Sequence, residues 1–394
     1  MSIFDKFQTL AAGRRELNEL GIDPFDVQID RIISPTEGII HGQHTVLAGT
    51  NNYLGLTFDP DCIAAARLAL EHEGTGTTGS RMANGSYSGH RKLEQELASF
   101  YGKRDGIVFS TGYLANLGML STLAGPDDMV LLDADCHASI YDGCRLGGTK
   151  AIRFRHNNPE DLAKRLGRLG ERAANTLIVI EGLYSMLGDR ALLKEIVEVK
   201  REYGGYLLVD EAHSLGVLGE RGSGLAEELG LLADVDFVVG TFSKSLGGAG
   251  GFCVSDHVEL DLIRYSSRPY IFTASPSPAT IATTRQALRK LSDGDNLRQR
   301  LHENAARLHA GLSALGYTLA APPSPVIAVV LEGKIESLKF WNNLLQLGVY
   351  VNLMFPPATP NGVFLIRCSV SAAHTTEQID TICAAFAELR KRAA

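Results

Sequence analysis

The sequence predicts an α/β protein built on a mostly parallel sheet, with a smaller α+β domain after it. Three observations predict this. From about residue 105, short apolar runs follow one another: GIVFS, MVLLDAD, AIRFRH, TLIVIEG, YLLVDEA and DFVVGTF. Helical stretches such as Ala191 to Tyr203 separate them. Near-continuous apolar strands alternating with helices belong to a sheet covered on both faces. After about residue 275 the rhythm changes to long helices interleaved with VIAVVLEG, YVNLM and VFLIRCS, which reads as α+β.

At the start of the chain, Phe4, Phe7, Leu10, Leu17 and Leu20 recur near helical spacing and stop at Gly21. That pattern predicts an amphipathic helix with a glycine stop. Its apolar face is expected to pack on the protein's own body, with peripheral membrane or partner docking as the other reading. Gly74, Gly76 and Gly79 fit the dinucleotide fingerprint G-x-G-x-x-G, but CIAAARLALEHEG before them is helical where a strand is required. The loop is kept as a substrate-contact segment, with Thr78 in it. GGFCVS follows DFVVGTF across a glycine-rich loop too short for a helical crossover, so one antiparallel strand is expected. The helical stretch running to about Leu315 should break at Ser292–Gly294, and Pro322, Pro323 and Pro325 mark a turn. A chain of 394 residues exceeds what one core usually organises. The expected division is an N-terminal helix and arm (1–45), a large domain (46–275) and a small C-terminal domain (276–394).

Apolar residues make up 45% and charged residues 21%, and the net charge of −7 gives no electrostatic reason to expect nucleic acid. Six cysteines without a C-x-x-C pair read as reduced core thiols. The first residues lack a secretory pattern, and no run approaches the roughly 18–20 apolar residues of a membrane span. A cytoplasmic protein without a metal site is expected.

The chemistry gathers where strands end. TFSKSLGGAGG follows DFVVG, so Lys244 sits at a strand end, in a low-dielectric setting that favours its neutral amine and frees it for a carbonyl cofactor. Thr241 and Ser243 flank it with hydroxyls suited to a phosphate. In LLVDEAHS, Asp210 closes an apolar strand, where an unpaired carboxylate is costly, and a pyridinium nitrogen is a fitting partner. His213 can hydrogen-bond a phenolic oxygen on the same ring. The letters DEAH also suggest a nucleic-acid-dependent ATPase, but neither Gly102-Lys103 nor Gly333-Lys334 lies in a G-x-x-x-x-G-K-[ST] loop. His137, in LLDADCHASIYDG, can lie against a flat cofactor. In FSTGYLAN a strand turns into a helix, aiming the N–H groups of Gly112 and Tyr113 at a phosphate. Ser185, in EGLYSMLGD, adds a polar tip at the same edge.

These stretches carry a family resemblance, together with NYLGLTFDP, TTGSRMANGS, FRHNNPEDLAKRLGRL, RPYIFTAS and PPATPNGVFLIRCSVSA. From about residue 34 to residue 374 the chain resembles the α-oxoamine synthases, pyridoxal 5'-phosphate (PLP) enzymes of the fold-type I, aspartate-aminotransferase-like class. The resemblance implies Lys244 as the Schiff-base lysine and the acid/base at Cα. It implies His137 stacked on the ring, Asp210 at the ring nitrogen, and His213 and Ser185 on the phenolic side. Gly112, Tyr113, Thr241 and Ser243 are implied to hold the phosphate. Thr273 is implied to reach the partner subunit's phosphate, which makes the enzyme a homodimer with active sites at the interface. Asn52 and Arg367 are implied to hold the amino-acid carboxylate.

Within the family the chain looks most like the branch that condenses L-serine with a long-chain acyl thioester, carried by coenzyme A or an acyl carrier protein, to give a 3-keto long-chain base. Members using alanine or glycine are the alternative, and a non-catalytic subunit, expected to lack the lysine, a second. One departure stands out: Phe355 precedes Pro356 and Pro357 where that branch is expected to carry arginine, leaving Arg367 to hold the carboxylate alone.

Overall fold

The computed structural model describes residues 2–293, 296–356 and 358–393; Gly294, of the expected helix break, and Pro357, of the Pro-Pro pair, lie outside them. The chain divides into two compact units, one of residues 51–303 and 371–373, the other of residues 1–50, 304–370 and 374–394.

In the second unit, β1 (Ile29–Ser34), β2 (Glu37–Ile40) and β3 (Gln43–Leu47) form an antiparallel meander. Helix Gln8–Leu20 precedes them and ends at Gly21, whose φ of 65° is the left-handed conformation that suits glycine. Its apolar face is not covered as expected. Leu17 alone is buried on this helix, while Phe4, Phe7 and Leu10 are exposed within the single chain.

The larger unit carries a seven-stranded sheet. Its strands are β4 (Asp105–Phe109), β5 (Met129–Asp133), β6 (Lys150–Phe154), β7 (Thr176–Glu181), β8 (Tyr206–Asp210), β9 (Phe237–Thr241) and β10 (Gly251–Ser255). They lie in the order β4-β10-β9-β8-β7-β5-β6. From β6 to β9 neighbours pair in parallel, and β10 runs antiparallel to both β9 and β4, as its short connection requires. The apolar runs became strands because helices close both faces. Ala115, Met119 and Leu120 of helix Gly112–Leu123 pack on Ile107, Val130, Leu132, Val179, Leu208 and Val239 in one core cluster. Burial at this scale stabilises by about 25 cal/mol per Å² of apolar surface. Parallel register then sets Glu181 beside Asp210 and Asp210 beside Val239, so the carboxyl ends of β7, β8 and β9 form one polar edge. Ligands collect at such an edge.

Helix Pro278–Ser292 was expected in a small C-terminal domain. It packs instead on helices Pro60–Glu73 and Ser88–Tyr101 and belongs to the larger unit. The second unit resumes with helix Leu297–Ala314 largely inside it, then β11 (Val326–Leu331), β12 (Val349–Tyr350), β13 (Asn352–Met354) and β14 (Phe364–Ser369). β12 pairs in parallel with β3, Val349 opposite Val46, which welds the N-terminal arm to this C-terminal segment instead of leaving it separate. β11, β14 and β13 form an antiparallel sheet in which Arg367 stands opposite Ala328 and Asn352.

Candidate active site

A cavity of about 250 Å³ opens at the polar edge of the large sheet, and Lys244, Asp210, His137 and His213 all line it. Gly112, Tyr113, Thr241 and Ser243 line it as well. Five stretches of sequence spanning more than a hundred residues thus converge on one hollow within the larger unit.

Each wall has a local cause. Thr111 caps helix Gly112–Leu123, its side chain accepting from the Leu114 N–H, so the helix N-terminus faces the cavity. Gly112 is required there: a Cβ would meet Thr241 at 2.8 Å. Thr241 closes β9, and its hydroxyl lies 2.9 Å from the Ser243 hydroxyl and donates to Gly250 O at 2.9 Å. Lys244 begins a tight turn in which Gly247, at φ 64°, donates its N–H to Lys244 O at 3.0 Å. The turn holds the half-buried lysine on the cavity wall.

Asp210 is 5% exposed and accepts from Asn116 Nδ2 at 2.7 Å and from the Ala212 N–H at 2.9 Å. Asn116 Nδ2 also reaches Ser139 Oγ at 3.0 Å, and that hydroxyl lies 2.8 Å from His137 Nδ1. Burial, with a smaller contribution from Lys244, pushes the His137 imidazole below its ordinary pKa, against the pull of Asp210, so the ring is neutral near pH 7. Glu181 accepts the His137 backbone N–H. Burial, reinforced by the charge of Asp210, pushes the Glu181 carboxyl well above its ordinary range, which favours its neutral form. His213 Nδ1 lies 2.7 Å from the hydroxyl of the fully buried Tyr53.

Other expected residues lie elsewhere. Ser185 is buried in the loop after β7, Asn52 donates to Thr57 Oγ1 at 2.8 Å, and Thr78 and Thr273 lie on separate loops; none of these lines the cavity of a single chain. Thr78 sits at φ 59°, a strained conformation for a β-branched residue. Arg367 is buried in the smaller unit and donates to Ser369 Oγ at 3.1 Å. Phe355 packs edge-on against Phe25, ring centroids 5.5 Å apart, in a groove that Leu353 and Phe364 line together with Asp23 and Asp26.

Sequence reasoning missed Asn116, Ser139, Glu181 and Tyr53. Glu181 carried a readable signal, since it ends TLIVIE as Asp210 ends YLLVD. Glu211, of the DEAH letters, is structural: it accepts the N–H groups of Leu225 and Ala226, and burial raises its carboxyl to about 7.

The cavity fits PLP. Asn116 Oδ1 is buried without a hydrogen-bond partner beside Asp210, the helix N-terminus and two hydroxyls suit a phosphate, and an anionic carboxylate suits a pyridinium.

The chain belongs to the aminotransferase class I and II family, whose model matches residues 44–386. Within it the chain is closely related to bacterial serine palmitoyltransferases. It is 57% identical over 389 residues to the serine palmitoyltransferase of Caulobacter vibrioides, covering 99% of this chain and 96% of that one. Two solved structures, the Sphingomonas wittichii serine palmitoyltransferase and an SPT with bound PLP, each match at a TM-score of 0.97 and 51% identity. Each match covers 100% of this chain and 99% of the other.

Proposed function

We propose that the protein is a PLP-dependent acyltransferase that condenses L-serine with a long-chain acyl thioester, releasing the thiol and CO2 and giving a 3-keto long-chain base. The observation that carries this reading is the convergence of Lys244, Asp210, His137 and His213 on one cavity. It occurs in a chain similar throughout its length to serine palmitoyltransferases.

When bound, PLP supplies an electron sink for a carbanion at the amino acid's Cα. The protein's own residues do the rest. Asp210 would hold the proton on the ring nitrogen, and its two accepted hydrogen bonds keep the carboxylate oriented. His137, held by the Ser139 hydroxyl, would pack against the ring. The N–H groups of Gly112 and Tyr113 with the Thr241 and Ser243 hydroxyls would bind the phosphate. Lys244, on its tight turn, would hold the cofactor's carbonyl carbon and, as a free amine, would move a proton at the substrate's Cα. Asn52 and Arg367 bind the amino-acid carboxylate, Thr78 borders the substrate, and Ser185 supports the phenolic side. Thr273 serves the partner subunit's phosphate in a homodimer. Among the described residues no helix is long and apolar enough to cross a membrane.

The apolar seat of Phe355 keeps alanine and glycine in the test. Product analysis by mass spectrometry, with serine, alanine and glycine each offered with palmitoyl- and short-chain acyl-CoA, is expected to give the highest kcat/KM for serine with the palmitoyl donor. Glycine with a short donor as the best pair would overturn the proposal.

A further inference from the structure

Tyr53 stands in the NYLGL stretch, is 0% exposed, and presents its hydroxyl 2.7 Å from Nδ1 of His213. Its backbone is held on both sides: its N–H donates to Asn51 O at 2.9 Å, and its carbonyl accepts the Ala372 N–H at 2.7 Å. The phenol cannot easily drift from the imidazole.

Two proton arrangements fit two nitrogens and one hydroxyl. Either the phenol donates to an unprotonated Nδ1, or Nδ1–H donates to the phenol and the phenol donates onward to Asn51 Oδ1. That onward contact is 3.4 Å, too long for a strong O–H···O bond, whereas 2.7 Å lies at the short end for an N–H donor and in the middle of the range for an O–H donor. The first arrangement is therefore favoured. A neutral imidazole whose Nδ1 accepts carries its proton on Nε2.

We propose that Tyr53 is a positioning residue that fixes His213 in the Nε2–H tautomer, so that the ring lining the cavity offers a hydrogen-bond donor to an oxygen of the bound ligand. That the ligand oxygen is the phenolic one of PLP rests on the function proposed above; the tautomer does not. An Nε2–H donor strengthens as negative charge gathers on the oxygen it meets, whereas the other tautomer presents a lone pair that repels it. Tyr53 is not among the residues lining the cavity and acts through the histidine, which is.

The test is the tautomeric state of His213 in the ¹⁵N-histidine-labelled full chain, with its signal assigned by loss in His213→Gln. Long-range ¹H–¹⁵N spectra distinguish Nε2–H from Nδ1–H, and they need no turnover. Wild type is expected to show Nε2–H, and Tyr53→Phe, which removes only the hydroxyl, a mixed or reversed tautomer. In the PLP-loaded enzyme, kcat of Tyr53→Phe should fall about tenfold, one hydrogen bond's worth, with KM for the amino acid within about twofold. Nδ1–H in wild type, or an undisturbed Nε2–H in Tyr53→Phe, would overturn the inference. If the proposed function is wrong, the serine and palmitoyl-CoA assay fails in wild type while the tautomer result stands.

Discussion

Replacing His156 with Gln removes a cation from between two carboxylates. In FRHNN, His156 places Nδ1 2.8 Å from Asp133 Oδ1 and Nε2 2.9 Å from Asp189 Oδ2. The Asp133 side chain is 0% exposed and the imidazole 22%, so water screens the pair little. Burial alone would lower the pKa of the ring, but the hydrogen bonds and charges of the two carboxylates outweigh it and raise it to about 10. A group whose folded pKa is raised stabilises fully below its unfolded value near 6.5, and loses that stabilisation as pH climbs to about 10. The whole span is worth about 5 kcal/mol as an upper bound, and breaking a buried pair by losing one partner costs about 3–5 kcal/mol. His156→Gln is therefore expected to lower the unfolding free energy by roughly 3–5 kcal/mol at pH 6. Urea unfolding of both proteins across pH 6 to 10 measures the difference, which should shrink steadily as pH rises because a neutral histidine and a glutamine differ little there. A variant within about 1 kcal/mol of wild type at pH 6, or a gap indifferent to pH, would refute the reasoning.

Asp210→Asn loses an acceptor toward either Asn116 or Ala212, since its amide presents one donor face, and it loses the charge facing the cavity. A fall in kcat/KM of roughly 10²-fold or more is expected, with about 1–3 kcal/mol of stability lost, read by steady-state kinetics and denaturation. Lys244→Ala should abolish turnover yet still bind PLP without a covalent link, as equilibrium dialysis checks; turnover within about tenfold of wild type would contradict its role. Arg367→Lys should weaken serine binding by about 1.5–3 kcal/mol if a bidentate contact to the carboxylate is lost, measured by spectral titration of the loaded enzyme. Phe355→Arg gives up the edge-on ring contact with Phe25 and should cost about 1 kcal/mol of stability in a thermal melt.

The sheet was legible because its strands are apolar on both sides and each ends in a residue of another kind. Asp210 and Thr241 stand where an apolar run stops, and a parallel register brings such ends together without further information. The antiparallel β10 followed from loop length alone. What stayed hidden depends on contacts between distant segments. Asn116 is a polar residue inside a helix, and only the packing of that helix over β9 and β10 sets it 2.7 Å from Asp210. Tyr53 and His213 are joined across 160 positions. The pairing of Val46 with Val349 likewise binds the N-terminal arm to the C-terminal segment, a join that local patterning does not encode. The local sequence shows only that Phe355 is not an arginine; its ring contact is with Phe25, a partner far away in sequence.

The central claim is that the cavity holds PLP through Lys244. Incubating the purified chain with PLP, reducing it with borohydride and sequencing its peptides by mass spectrometry tests this directly. The account predicts one phosphopyridoxyl group per chain, on Lys244, and its loss in Lys244→Ala. Stoichiometric label on another lysine, or no stable label on a chain shown to bind PLP, would contradict it.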